Sequence, residues 1–342
     1  MALSLAERTE RYRPLLIEDL RAVVGDGPAG LFAWMRYHLG WEDAAGRPVE
    51  ASPGKLLRPT ALLLSTEIVG GSAEDSLPAA AAVELVHNFS LLHDDIEDQS
   101  PLRRGRATLW TLTGVPQAIN TGDGMFALSR LAAHRLLERG VEERRVIETM
   151  RELDQAGLRL VEGQYLDMLF ESRETVSREE YLTMAGGKTA AMFSAPFAMG
   201  ALLGGADGVT VAELREFGHH VGLAFQAADD LLGIWGDPDV TGKPVGDDLR
   251  SRKMTYPVIA ALGSADDEAT DLARALATPA RPDEDVSALS ALVERLGGRA
   301  ATEAFAAEQE RAALATLDSG ELDREAIAAC AEYARVAAGR DT

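Results

Sequence analysis

The stretch Val83-Glu84-Leu85-Val86-His87-Asn88-Phe89-Ser90-Leu91-Leu92-His93-Asp94-Asp95-Ile96-Glu97-Asp98 decides the fold class. Its apolar residues, among them Val83, Leu85, Val86 and Leu91, recur at helical spacing, and the run closes on four acids. On a helix Asp94 and Asp98 share a face one turn apart, about 6 Å along the axis. Like charges so placed repel, and acids at a helix C-terminus oppose the macrodipole. A cation between them removes both costs. Carboxylate oxygens suit magnesium, which keeps open positions for phosphate oxygens. A solvated acidic helix end is the plainer alternative.

The same periodicity extends outward from this helix. Segments 5–24, 59–70, 77–98, 117–138, 142–171, 178–203, 210–236, 254–263 and 300–317 carry apolar residues three and four apart. Alternating strand patterns are essentially missing. Ser177 and Glu180 form a capping-box pattern, and Pro59 suits a first helical turn. The breaks are short and rich in Gly, Pro and Asp. The Ala/Gly-rich stretch 190–206, which contains Pro196, is short for a membrane span and reads as a buried helix. These patterns predict one all-α domain over 1–342.

A second acidic pair, Asp229-Asp230, lies inside an apolar helix between Ala227-Ala228 and Leu231-Leu232. Carboxylates there need a partner. Gln226 stands one turn earlier. Two helices bringing paired carboxylates are expected to form a magnesium-binding cleft.

Of 34 basic residues only four are lysine: Lys55, Lys188, Lys243 and Lys253. None lies in the motif-free tail after about 265 or on the charged helices. Lys55 and Arg58 open a helix whose N-terminal amides favour an anion. Arg103-Arg104-Gly105 follows the first acids, and guanidinium forks suit phosphate. The net charge of −21 excludes a basic nucleic-acid footprint and a polybasic membrane anchor. One cysteine, Cys330, excludes an internal disulfide. No signal-peptide pattern opens the chain, so a cytoplasmic protein is expected.

These residues resemble the trans-polyprenyl diphosphate synthase family. Asp94-Asp95-Ile96-Glu97-Asp98 with Arg103-Arg104-Gly105 is similar to its DDxxD motif followed by RRG. Gly54 to Pro59 match GKxxRP, His87 matches a histidine two turns before the acids, and Gly163 to Asp167 match GQxxD. Lys188-Thr189 match its KT pair, Phe225 to Asp230 its FQxxDD, and Lys243 and Lys253 its final lysines. The match covers roughly 50–260.

The resemblance implies an isoprenoid synthase-type helical bundle around a central cavity, usually a homodimer, without stable membrane insertion. It implies head-to-tail condensation of isopentenyl diphosphate with an allylic diphosphate. Asp94, Asp95, Asp98 and Asp229 would hold up to three magnesium ions, with Asp230 in support. Arg103, Lys188, Lys243 and Lys253 would grip the allylic diphosphate, and Thr189 and Gln226 would orient it. Lys55, Arg58, His87 and Arg104 would bind isopentenyl diphosphate.

One position departs from the pattern. Gly233 stands where the second motif often has an acid, and Asp237 is a candidate substitute. Phe89 and Ser90, five and four residues before Asp94, resemble a C20-type chain-length pair, with Phe89 as the floor. C15 and C25 products are the alternatives. A class I terpene cyclase would need Ser and Glu after Asp229, which are missing. A metal phosphohydrolase would need further histidines. A regulatory subunit would be expected to lose one aspartate motif, and both are kept.

Overall fold

The computed structural model describes all residues except 1–2, 26, 28–29, 50–53, 238–244, 279–283, 318–321 and 340–342. The helices are α1 (Leu5–Val24), α2 (Leu31–His38), α3 (Leu57–Ile68), α4 (Leu77–Glu97), α5 (Leu109–Thr113), α6 (Val115–His134), α7 (Glu143–Phe170) and α8 (Arg178–Ala185). They continue as α9 (Ala191–Gly204), α10 (Gly208–Trp235), α11 (Asp247–Arg250), α12 (Tyr256–Leu262), α13 (Glu268–Leu276), α14 (Ser287–Arg295), α15 (Gly298–Ala315) and α16 (Arg324–Ala337). Two compact units emerge, one of Met1–Gln155, Ala195–Arg215 and Gly320–Ala329, the other of Ala156–Ser194, Glu216–Ser319 and Cys330–Thr342.

In the first unit α4 is the central element, packed chiefly on α6. Ala79 to Val83, Leu85 and Val86 are fully buried. Their small side chains bring neighbouring helices close. The stretch 190–206 is the buried helix its composition predicts. Gly200 packs on α3 so tightly that a Cβ would lie 2.7 Å from Ser65 Cβ, and Ser65 Oγ donates to the Phe197 carbonyl at 2.6 Å. Glu67 on α3 accepts from Arg8, Arg11 and Tyr12 and so pins α1.

Among the described residues the second unit shows two apolar clusters. One gathers Phe170, Tyr181, Leu223, Tyr256 and Phe305. The other gathers Ile234, Leu249, Val258, Leu272 and Val293. The motif-free segment after 265 therefore supplies core through α13, α14 and α15. Ser177 caps α8 with Glu180 in the full reciprocal box.

Two features differ from the sequence reading. Leu102–Arg103 and Arg106–Ala107 pair as a small antiparallel hairpin. Its two turn residues, Arg104 and Gly105, have φ of 51° and 72°, as a tight hairpin requires. The lysine-bearing segment Gly186–Ala190 is a π-helical turn between α8 and α9 rather than continuous α-helix. Among the described residues no helix is long and apolar enough to cross a membrane.

Candidate active site

In the first unit the acids at the end of α4 divide by direction. Asp95 is only 2% exposed, while Asp94 and Asp98 keep partial access to solvent. Successive residues on a helix turn by about 100°, so Asp94 and Asp98 share a face that Asp95 leaves. Arg103 Nε donates to Asp95 Oδ1 at 2.8 Å, and its Nη2 donates to Asp94 Oδ2 at 3.2 Å. The hairpin thus returns a guanidinium to the acids that precede it. Burial outweighs this ion pair and pushes the Asp95 carboxyl up to about 6, with Asp94 and Asp98 adding to the rise. Its Oδ2 is enclosed without a hydrogen-bond partner among the described residues. Asp95 also lines a cavity of about 330 Å³ with His38, Gly54, Leu91 and Arg104.

Of the candidate cations of this unit, Arg103 and Arg104 line that cavity. Gly54 has φ of 83°, and a Cβ there would lie 2.8 Å from Arg104 Nη2. Only glycine lets the Arg104 guanidinium rest on this backbone. Arg58 Nη1 lies 3.5 Å from His87 Nε2, and Lys55 is exposed. Burial first, then Arg58 and Arg104, hold His87 well below the ordinary histidine range, so its imidazole is neutral. Beneath it, Asn88 Nδ2 donates to Glu84 Oε1 at 2.8 Å. Burial pushes the Glu84 carboxyl up to about 7, against Asn88, Arg58 and Arg104. Sequence reasoning passed over this pair, whose signal was a charged and an amide residue four apart in an apolar helix.

The expected chain-length residues lie one turn inside the acids. The Phe89 ring packs at 4.9 Å from His93 and at 5.0 Å from Phe126 of α6. Ser90 Oγ is turned back to the His87 carbonyl at 2.8 Å.

The second unit repeats the division of acids. Asp230 is 3% exposed, whereas Asp229 faces outward. Asp230 accepts from Tyr181 Oη at 2.7 Å, from Gln226 Nε2 at 2.8 Å and from the Tyr256 N–H at 2.8 Å. Burial still pushes its carboxyl up to about 7. Thr189 Oγ1 donates to Gln226 Oε1, so the expected Thr189, Gln226 and Asp230 form one chain of hydrogen bonds. Tyr181 completes it. No motif marked this tyrosine.

Lys188 Nζ pairs with Asp167 Oδ2 at 2.5 Å, which joins the KT pair to the GQxxD segment. The π turn and two glycines make this possible. A Cβ at Gly163 would overlap the Lys188 backbone N–H and lie 2.7 Å from the Gly187 carbonyl carbon. Lys253 is half-buried, and its N–H donates to the Asp248 carbonyl at 2.9 Å. Lys243 lies outside the described residues.

Among the described residues no three His, Cys, Asp or Glu side chains form a group able to hold a metal alone. The outward donors are hard carboxylate oxygens on Asp94, Asp98 and Asp229. Within each unit, Asp94 and Asp98 in the first and Asp229 in the second, these donors fit magnesium, which takes one or two carboxylates and completes its shell with water and substrate phosphates. They do not fit zinc, which wants imidazole or thiolate.

The comparisons agree with the motifs. The polyprenyl synthetase family model matches residues 43–295. A geranylgeranyl diphosphate synthase of Mycobacterium tuberculosis is 45% identical over 282 residues, 82% of this chain and 79% of that protein. The crystal structure of a polyprenyl synthetase from Streptomyces coelicolor A3(2) has a TM-score of 0.90 at 40% identity, covering 98% of this chain and 99% of that one. A geranylgeranyl pyrophosphate synthase from Corynebacterium glutamicum, complexed with isoprenyl diphosphate and magnesium, has a TM-score of 0.84 at 27% identity, with coverage of 99% and 100%. By sequence, motif and fold, the chain belongs to the polyprenyl synthetase family and is a short-chain prenyltransferase.

Proposed function

We propose that the protein condenses isopentenyl diphosphate with an allylic diphosphate, under magnesium, to give geranylgeranyl diphosphate. The observation that carries this reading is the paired division of acids. Asp95 and Asp230 are buried and fix their helices, while Asp94 and Asp98 are part-exposed and Asp229 is exposed.

Asp94, Asp98 and Asp229 would hold the magnesium, up to three ions with the diphosphate, and Asp95 would act with them through Arg103. When bound, magnesium neutralises charge that grows on the departing diphosphate. Lys188, Lys243, Lys253 and Arg103 add fixed positive charge at the same leaving group. Thr189 and Gln226 orient it, and Asp230 fixes Gln226. Lys55, Arg58 and Arg104 bind the diphosphate of the isopentenyl partner, with a neutral His87 donating or accepting one hydrogen bond. The allylic carbon–oxygen bond breaks, the double bond of the isopentenyl partner attacks that carbon, and a proton leaves. No side chain in place is needed as the base, because the departing diphosphate can accept the proton. The cation would need an apolar surrounding that keeps water from capturing it.

Phe89 sets the product at C20 by closing the space below Asp94, with the Phe126 ring behind it. A homodimer is supported by an exposed apolar stripe on α7, where Leu158, Val161, Tyr165 and Met168 recur three and four apart at 62%, 50%, 67% and 40% exposure. The single cysteine, buried with its thiol pushed up to about 12, supports a reducing cytoplasmic setting.

The test is to incubate the protein with magnesium, isopentenyl diphosphate and, separately, C5, C10 and C15 allylic diphosphates. The dephosphorylated alcohols are then sized by chromatography. A dominant C20 alcohol is expected. A C15 or C25 end product overturns the length assignment, and a cyclic hydrocarbon formed without isopentenyl diphosphate overturns the condensation.

A further inference from the structure

Tyr181 on α8 and Thr189 on the π turn stand eight residues apart, and Gln226 and Asp230 stand four apart on α10. Two α-helical turns span about seven residues, and a π turn adds one more. The insertion therefore brings positions 181 and 189 to one face, against the face of α10 that carries 226 and 230. Without it Thr189 would stand about 80° off that face.

Hydrogen bonds then run in one direction across the contact. The Tyr181 hydroxyl and the Tyr256 N–H both donate to Asp230 Oδ2, at 2.7 and 2.8 Å. Gln226 Nε2 donates to Asp230 Oδ1 at 2.8 Å, and the Thr189 hydroxyl donates to Gln226 Oε1. A carboxylate only accepts, so the amide must turn its nitrogen to Asp230 and its oxygen to Thr189. Tyr181 keeps its own proton for this. Burial, then the Asp230 charge, hold its phenol well above the ordinary tyrosine range. Its ring is set edge-on to Tyr256 at 5.4 Å, and the Tyr256 ring stacks on Phe305 at 4.5 Å. At 1% exposure Tyr181 acts on a bound ligand only through Asp230.

The second N–H of the Gln226 amide is the group this arrangement presents to a diphosphate, whose oxygens only accept. With the Tyr181 hydroxyl gone, Asp230 Oδ2 keeps one of these two donors and the carboxylate is freer to rotate. The amide can then present its oxygen, which repels a diphosphate. We propose that Tyr181 is a positioning residue for the allylic diphosphate, holding the Gln226 amide, through Asp230, with an N–H toward that ligand. This rests on the function proposed above.

The test is a double-mutant cycle on the full-length protein, with magnesium, isopentenyl diphosphate and a C15 allylic diphosphate. Tyr181→Phe should raise KM for the allylic diphosphate about tenfold and leave KM for isopentenyl diphosphate near its wild-type value. Gln226→Leu should raise the allylic KM at least as much. In the Gln226→Leu background Tyr181→Phe should then add less than about twofold, while it still lowers the urea midpoint. A group that only braces the fold would weaken both backgrounds alike. An equal effect of Tyr181→Phe in the two backgrounds therefore overturns the inference, as does a matching rise in both KM values. Product from wild type, with an unchanged allylic KM in Tyr181→Phe, removes the inference alone. No product from wild type with any allylic diphosphate removes the proposed function and the inference with it.

Discussion

The Tyr181 hydroxyl and the Tyr256 backbone N–H converge on one oxygen, Asp230 Oδ2, at 2.7 and 2.8 Å. Two elements far apart in sequence are thereby tied to the C-terminal part of α10, beside the outward Asp229. Tyr181→Phe removes one donor from a carboxylate that water cannot reach. The loss should be about 1–3 kcal/mol. Urea denaturation checks it, and an unchanged midpoint would show that the hydroxyl is dispensable.

Gly163→Ala places a methyl group against the backbone of Lys188. The π turn has to move, and Lys188 with it. Overpacking of this kind costs about 1–3 kcal/mol. Turnover should fall further than stability predicts, because the Lys188–Asp167 pair at 2.5 Å is displaced. Thermal melting and steady-state rates on the same sample test both statements.

Lys188→Gln keeps a polar side chain one atom shorter and removes its charge. It should reduce kcat/KM for the allylic substrate about 10²- to 10³-fold, the range for loss of one charge-stabilising donor. The KM for isopentenyl diphosphate should stay near its wild-type value. Equal changes in both KM values would contradict the division of cations between the two substrates.

Glu84 gives a pH prediction. Its carboxyl is raised from 4.5 to about 7, chiefly by burial. A group whose pKa rises on folding stabilises fully below its unfolded value, and that contribution is lost as pH climbs through the folded value. The charged form, facing Arg58 and Arg104, is therefore disfavoured above pH 7 by something on the order of 1–3 kcal/mol. Glu84→Gln should match the wild type near pH 4 and be the more stable protein near pH 8.5. Denaturation at both pH values decides it, and a gain that does not grow with pH would be contrary.

Phe89→Ala opens the space behind α4, where Phe126 stands 5.0 Å away. Products should lengthen beyond C20. An unchanged product distribution would mean that Phe89 is core alone.

Much of this was legible in the sequence because the chemistry is local. Asp94 and Asp98 reveal themselves by a one-turn spacing, Ser177 and Glu180 by a capping box, and 190–206 by its small apolar residues. The partners were not legible. That Asp95 and Asp230 turn inward depends on Arg103, Tyr181 and Tyr256, which tertiary packing delivers. That Asp248 packs over Gly233 was hidden too, because it lies fifteen positions on, beyond a turn. The segment after 265 carries no motif because its task is to bury Ile234 and Leu249, which many apolar side chains can do.

The central claim is that outward carboxylates on α4 hold magnesium for a condensation. Its most direct test is incorporation of labelled isopentenyl diphosphate into an allylic acceptor, by wild type and Asp94→Ala, with magnesium and after chelation. The account predicts product only from wild type with magnesium, and a fall of about 10²-fold or more in Asp94→Ala. Undiminished incorporation by Asp94→Ala, or by chelated wild type, would contradict it.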